Sequence, residues 1–64
     1  MVIEVARKMA GMTQEEVASH LGISVPTYRK MEKDPACITI EDARTLAALF
    51  GIDVSQIFFA TDDN

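Results

Sequence analysis

The chain has 64 residues, 48% of them hydrophobic and 25% charged, a composition typical of a folded domain rather than a disordered chain. We expect a single domain, whose small size limits the surface that it can bury. Its single cysteine, Cys37, excludes an internal disulfide and favours a reducing cytoplasm, so stability must come from helix packing or from a partner. The first turns contain charges and no apolar signal core, and no apolar run approaches the roughly 18 residues that span a membrane.

The net charge of -4 argues against nucleic-acid binding, because proteins that bind DNA are usually basic. The charge is unevenly distributed, however. Residues 1–33 carry five basic and four acidic side chains, whereas residues 34–64 carry one basic and six acidic side chains. A basic face on an acidic body can still bind phosphates, with modest affinity and strong dependence on salt.

The first half of the chain predicts three short helices. Residues 2–10 are apolar at helical spacing, and Gly11 is expected to end this helix in a left-handed conformation. Thr13 and Glu16 have the spacing of a capping box at the start of a second helix. The apolar positions expected to face the core are Val2, Val5, Ala6 and Met9 in the first helix, and Val17, Ala18 and Leu21 in the second.

A turn at Gly22 separates the second helix from a third. Glycine adopts positive φ without a steric penalty, Ser24 is a good helix cap, and Pro26 is tolerated in a first turn. Tyr28 and Met31 are expected to face the core. Three cationic side chains of the third helix are expected to point outward: Arg29, Lys30 and Lys33.

The second half predicts two more helices after a loop at residues 34–38. Thr39 is expected to cap the fourth helix and Gly51 to end it. Asp53 is expected to cap a short fifth helix. The side chains expected to face inward are Ile40, Ala43, Leu46, Ala47 and Phe50 in the fourth helix, and Val54, Ile57 and Phe58 in the fifth. The predicted fold is all-α, with five short helices around one core.

Two short helices joined by a tight turn, with cations on the second, are typical of a helix-turn-helix at residues 13–33. In this motif one helix braces the other, which lies in the major groove of DNA. The starts of the second and third helices, at Thr13 and Gln14 and at Ser24 and Val25, have free N–H groups that favour a phosphate. The alternative is that the cations of the third helix form only a solvated face and that Gln14 is a solvated surface residue.

The chain resembles the phage repressor and Cro-type helix-turn-helix family, also called XRE-type, over about residues 5–58. The resemblance is carried by the order and spacing of three segments: ARKMAGMTQEEVASHLGIS, TYRKMEK and TIEDARTLAALFGIDVSQIFF. It implies a compact five-helix DNA-binding domain, similar to that of lambda repressor, which acts as a homodimer on a palindromic double-stranded DNA operator.

The resemblance also implies roles for individual residues. Gln14 matches a glutamine that contacts the DNA backbone at the start of the second helix, and Thr27 and Lys33 fall near the flanking phosphates. Arg7 and Glu32 match an ion pair that ties the first helix to the end of the third. The positions that face base edges are occupied by Val25, Pro26, Arg29 and Lys30.

Two departures from the family pattern concern DNA contacts. Many members have Asn-Gly at positions 33 and 34 and basic residues in the next loop, where this chain has Lys33, Asp34, Pro35 and Ala36. Val25 and Pro26 stand where hydrogen-bonding residues are common, and their side chains can only pack on a thymine methyl group. Lys30 or Arg29 can donate to guanine, so the expected half-site has one or two thymines beside a guanine.

The sequence offers no set of residues for catalysis or for a cofactor. His20 is expected on the surface and Cys37 in the loop or at the edge of the core. One histidine and one cysteine do not make a usual zinc site. Leu49 and Phe59 lie off the main apolar faces and are expected to form a dimer interface, although Phe59 packed under the chain end is the alternative.

Three interpretations of the whole chain remain open. The first is a sequence-specific transcription regulator, either Cro-like or a DNA-binding domain cut from a longer repressor, without a ligand-binding domain. The second is a protein-interaction module, such as an antirepressor or an antitoxin-like partner, which the acidic net charge and Asp34 favour. The third is a structural domain without a nucleic-acid role.

Overall fold

The computed structural model describes residues 2–58 and contains five α-helices and one 3-10 turn. None of these helices is long and apolar enough to cross a membrane. The predicted all-α, five-helix architecture is confirmed. The helices are α1 (Val2–Met9), α2 (Gln14–Leu21), α3 (Val25–Lys33), α4 (Ile40–Phe50) and α5 (Val54–Phe58), and the 3-10 turn covers Pro35–Cys37.

The predicted helix caps at the starts of α2, α3 and α4 are confirmed. The Thr13 hydroxyl accepts a hydrogen bond from the Glu16 N–H, and the Glu16 side chain accepts one from the Thr13 N–H, which completes the capping box. The Ser24 and Thr39 hydroxyl groups cap α3 and α4 by accepting from the N–H groups of Thr27 and Asp42. At α5 the contact runs in the opposite direction, because the Gln56 amide oxygen accepts from the Asp53 N–H at 2.9 Å. These bonds satisfy N–H groups that the helix itself leaves unpaired.

Each of these four helix starts also has an apolar residue before the cap and another five positions later. This spacing places the two side chains on the same side of the helix start, where they fix the angle at which the chain enters the helix. All eight residues belong to the core or pack against it. The pairs are Met12 and Val17, Ile23 and Tyr28, Ile38 and Ala43, and Ile52 and Ile57.

The turn between α2 and α3 depends on Gly22. Its φ is +72°, and its N–H donates to the carbonyl groups of Ala18 and Ser19 at the end of α2. A left-handed conformation is costly for a residue with a side chain, so glycine is the natural residue here. After this turn, α3 remains packed against α2.

The core lies where α1, α2, α3 and α4 meet and is completed by α5. Tyr28, Val17 and Leu46 are fully buried. As predicted, Ala18, Met31, Ala43, Ala47 and Ile57 are buried, while Leu21, Phe50, Val54 and Phe58 pack partly buried against the core.

The predicted core face of α1 is wrong at Val5 and Met9 and confirmed at Ala6. Val5 and Met9 are 55% and 83% exposed, whereas Ile3 is buried together with Ala6 and Arg7. Two apolar faces were possible on this short helix, and the one containing a charged residue is buried because Arg7 has a partner inside the protein. The side chain of Val2 lies outside the described part of the structure.

Two further predictions in the middle of the chain need correction. Residues 34–38 are not an irregular loop, because Pro35–Cys37 forms a 3-10 turn capped by the Asp34 side chain. Ile40 is 58% exposed rather than buried, because Ile38 fills this end of the core just before the cap of α4.

Candidate nucleic-acid interface

The helices α2 and α3 form one packed unit that presents the outer face of α3. Val17 and Ala18 of α2 are buried in the same cluster as Tyr28 and Met31 of α3. Burial of these residues fixes which side of α3 remains outside. The residues on that outer side are Pro26, Thr27, Arg29, Lys30 and Lys33, all of which are exposed, while Val25 is partly buried.

The start of α3 is held by its own side chains. The Ser24 hydroxyl accepts from the Thr27 N–H at 3.4 Å and lies 2.9 Å from the Thr27 hydroxyl. Both residues therefore stabilise the helix start. They remain exposed, so contact with DNA stays a prediction for each.

A buried ion pair lies behind the outer face of α3. The Arg7 Nε donates to Glu32 Oε2 at 2.7 Å, and the two residues are only 8% and 7% exposed. The Arg7 Nη1 also donates to the Met12 carbonyl at 3.0 Å, which ties the end of α1 to the chain entering α2. The predicted pair is thus formed and joins α1 to the end of α3.

Hydrogen bonds keep this ion pair charged despite its burial. Burial by itself would raise the pKa of Glu32, but hydrogen bonds from Arg7 and Gln14 and the charge of Arg7 together lower it. The hydrogen bond to Glu32 raises the pKa of Arg7 against the opposing effect of burial. Burial, followed by the nearby Glu32 carboxylate, raises the pKa of Tyr28, whose hydroxyl makes no hydrogen bond within residues 2–58.

Gln14 connects the buried pair to the surface. Its Nε2 donates to Glu32 Oε1 at 3.0 Å, and its Oε1 accepts from the Arg29 Nε at 3.1 Å. Three hydrogen bonds therefore run in series from Arg7 through Glu32 and Gln14 to Arg29. The bonds of Gln14 were not predicted from the sequence, where Gln14 and Arg29 were expected to contact DNA separately.

A small cleft of about 210 Å³ lies at this junction between α2 and α3. Its carboxylates have basic partners, because Glu32 pairs with Arg7 and Glu4 pairs with Lys8 at 3.0 Å. No carboxylate within the described residues forms an ion pair with Arg29 or Lys33. The residues lining the cleft are Glu4, Gln14, Arg29, Glu32 and Lys33.

The chain leaves α3 at Asp34, where the family pattern had predicted a glycine. Asp34 has φ -135° and ψ 92°, an extended conformation that needs no glycine. Its Oδ1 accepts from the Ala36 N–H at 3.2 Å, and its Oδ2 lies 3.5 Å from the Cys37 Sγ, whose thiol donates. Asp34 therefore starts the 3-10 turn. Cys37 is exposed, in the segment expected for it.

The dimer interface predicted at Leu49 and Phe59 stays a prediction, and a further apolar surface is exposed on α1. Leu49 packs partly buried against the core, and Phe59 lies outside the described residues. The exposed side chains of Val5 and Met9 border an apolar groove of about 610 Å³ between α1 and the α4–α5 junction. The groove is lined by Val5, Ala6, Met9, Ala10, Phe50, Gly51, Ile52 and Gln56.

Metal binding finds no support in residues 2–58, where no group of three or more His, Cys, Asp or Glu side chains is placed to hold an ion. His20 is exposed, as expected.

Comparison with known proteins agrees with this geometry. A family model described as helix-turn-helix matches residues 3–57. The chain is 33% identical over 57 residues to an uncharacterized HTH-type transcriptional regulator of Methanocaldococcus jannaschii, covering 89% of this chain and 86% of that protein. No solved structure matches the chain significantly. The match extends across all five helices, and the chain therefore belongs to the XRE-type helix-turn-helix family.

Proposed function

We propose that this protein is a sequence-specific transcription regulator of the repressor or Cro kind, acting in the cytoplasm by binding DNA and not by catalysis. The observation that carries the proposal is the outer face of α3, where Arg29, Lys30 and Lys33 are exposed while Tyr28 and Met31 anchor the helix. A helix held in this way can enter the major groove, where base edges differ between all four base pairs. Occupying an operator would then block RNA polymerase.

The chemistry of α3 favours a mixed apolar and cationic contact with bases. Pro26 is exposed and Val25 partly buried at the start of the helix, where their side chains can pack on thymine methyl groups. Lys30 lies one helical turn after Pro26 on the same side and can donate to guanine O6 and N7. The preferred half-site would contain one or two thymines beside a guanine.

Selection of bound duplexes from a random DNA pool tests the proposal directly. Lys30→Ala should lose the preference for one base pair, because a contact with guanine disappears. Its binding free energy on the selected site should be weaker by about 1–3 kcal/mol. Arg44→Ala is the control, since Arg44 is an exposed cation on α4 that does not line the cleft beside α3. If Lys30→Ala weakened binding to every duplex equally, Lys30 would contact only phosphate.

We also propose that the protein binds a palindromic operator as a homodimer, with one copy on each half-site. The first 33 residues have a net charge of only +1, so a single copy offers few phosphate contacts. The exposed groove bordered by Val5 and Met9 gives a second copy an apolar surface to cover. Two copies on one operator would gain the affinity that one lacks.

The second candidate function is a protein-interaction module with weak or no DNA binding. The net charge of -4 and the exposed Asp34 beside the end of α3 favour it. Binding to random and selected duplexes at two salt concentrations separates the two functions. A steep salt dependence with a site preference supports the regulator, whereas no binding at low salt supports the interaction module.

A further inference from the structure

We infer that Arg29 contacts the DNA backbone, positioned there by Gln14, and that Lys30 is the cationic side chain of α3 that selects a base. This inference rests on the proposed function, because it assigns the two adjacent cations of α3 to different parts of the same DNA.

The two cations lie on different sides of α3. Residues four apart lie on the same side of a helix, so Lys30 shares a side with Pro26, and Arg29 shares one with Lys33. The side of Arg29 and Lys33 faces the cleft that also contains Gln14 and Glu32. Neither Pro26 nor Lys30 lines this cleft.

A hydrogen bond holds the Arg29 side chain in place. Its Nε donates to Gln14 Oε1 at 3.1 Å, so the guanidinium is drawn toward the first turn of α2. Gln14 is itself held, because its Nε2 donates at 3.0 Å to the buried Glu32. The remaining Nη groups of Arg29 can still donate to an anion, and an orientation fixed in advance lowers the entropy lost when they do so.

The charges at the junction between α2 and α3 favour an anion. Glu32 is neutralised by Arg7 and Glu4 by Lys8, which leaves Arg29 and Lys33 as the cations of the cleft without an ion-pair partner in residues 2–58. Two cations beside the start of a helix suit a phosphate oxygen. A base edge is reached instead from the side of Pro26 and Lys30.

The assignment is tested with Arg29→Ala and Lys30→Ala, each measured for the selected base preference and for the dependence of affinity on salt. Arg29→Ala should lower the slope of log K against log salt by about 0.9, weaken selected and random duplexes equally, and leave the selected sequence unchanged. Arg29→Lys should keep the slope, because it keeps the charge. A changed base preference in Arg29→Ala, or an unchanged slope, would overturn the assignment.

The role of Gln14 as a positioning residue is tested with a double-mutant cycle on DNA affinity. Gln14→Met has a similar length but removes both hydrogen bonds, so Arg29→Ala should cost less affinity in that background than in the wild type. Additive losses would overturn the positioning role. Failure of the wild type to bind any duplex at low salt would overturn the proposed function as well, whereas a changed base preference in Arg29→Ala overturns only the assignment.

Discussion

Glu32 joins the interior of the protein to the exposed face of α3. One carboxylate oxygen accepts from Arg7 in the core, and the other accepts from Gln14 at the surface. A buried carboxylate with two such partners is strongly destabilising once a partner is lost, although the pair itself contributes little net stability. The energetics of Arg7 and Glu32 should therefore be strongly non-additive.

We predict that Arg7→Met and Glu32→Leu each lower the free energy of unfolding by about 3–5 kcal/mol, because each leaves a buried charge without its partner. The double variant should be more stable than either single variant, since neither charge remains. Urea denaturation of all four proteins measures the coupling energy, and simple additivity would contradict the pairing.

Acid stability gives an independent measure of the same pair. The pKa of Glu32 is lowered on folding, so the stabilisation that it provides is fully present above its ordinary pKa of 4.5 and is lost as pH falls through the folded value. The wild type should therefore lose stability below about pH 4.5 more steeply than the double variant.

Tyr28 gives a prediction at alkaline pH. Its side chain is fully buried, and burial raises its pKa above the ordinary 10.0. Because the folded protein favours the neutral phenol, folding is fully stable with respect to Tyr28 below pH 10, and this stability is lost as the pH rises through the raised pKa of the folded state. The chain has one tyrosine and no tryptophan, so absorbance at the tyrosinate band reports Tyr28 alone. In a titration to alkaline pH, the folded protein should show no ionisation at pH 10, and the band should appear only when the protein unfolds.

Tyr28→Phe is the control for this effect. It removes a buried hydroxyl that makes no hydrogen bond in the described residues, so the free energy of unfolding near neutral pH should not fall and should rise by about 1 kcal/mol. The variant should also resist alkaline unfolding better than the wild type. Ionisation of Tyr28 at its ordinary pKa in the folded protein would contradict its burial.

At the scale of elements, the turn between α2 and α3 sets the angle of the helix that we place in DNA. An added methyl group at Gly22 would meet no atom within 4 Å, so the only cost of an alanine is its left-handed backbone. Gly22→Ala should therefore lower the free energy of unfolding by about 1–2 kcal/mol, measured by urea denaturation.

Gly22→Asn is the matched control, because asparagine adopts the left-handed conformation more readily than alanine does. It should recover part of the loss. Equal stability of the alanine and asparagine variants would show that steric contacts, and not the positive φ, determine the cost.

The starts and ends of the helices could be predicted because they depend on residues near in sequence. Thr13, Ser24 and Thr39 cap helices through hydrogen bonds to N–H groups three residues ahead, and Gly22 ends one. The buried face of α1 could not be predicted from apolar spacing, because it includes the charged residue Arg7, whose partner Glu32 comes from a distant part of the chain.

In the candidate site, too, one feature could be predicted from the sequence and another could not. The exposure of Arg29, Lys30 and Lys33 follows from the burial of Tyr28 and Met31 on the same helix. The hydrogen bonds of Gln14 do not follow from spacing, because they join residues 15 and 18 positions apart through long flexible side chains. Only the packing of α2 on α3 brings these side chains together.

At the scale of the whole molecule, the groove between α1 and the α4–α5 junction is the apolar surface that we assign to a second copy. Met9 is 83% exposed at its edge, so its replacement should not disturb the fold. Met9→Gln should weaken cooperative binding to a palindromic operator by about 1 kcal/mol or more, because each copy loses apolar contact area. Affinity for a single half-site should be unchanged.

Ile40→Gln is the matched control, since Ile40 is 58% exposed and does not line the groove. Sedimentation with and without operator, together with titration of half-site and full-site duplexes, measures the effect. Equal loss of cooperativity in both variants, or none in Met9→Gln, would place the contact between copies elsewhere.

The series of hydrogen bonds from Arg7 to Arg29 also has a genetic consequence. In a cell whose reporter depends on this regulator, a screen for lost regulation should recover substitutions at interior Arg7 as well as at exposed Arg29. The two classes would differ in protein abundance, because destabilised proteins are degraded whereas a lost surface contact leaves the amount unchanged. An immunoblot of the mutants would then distinguish residues that touch the operator from residues that hold them in place.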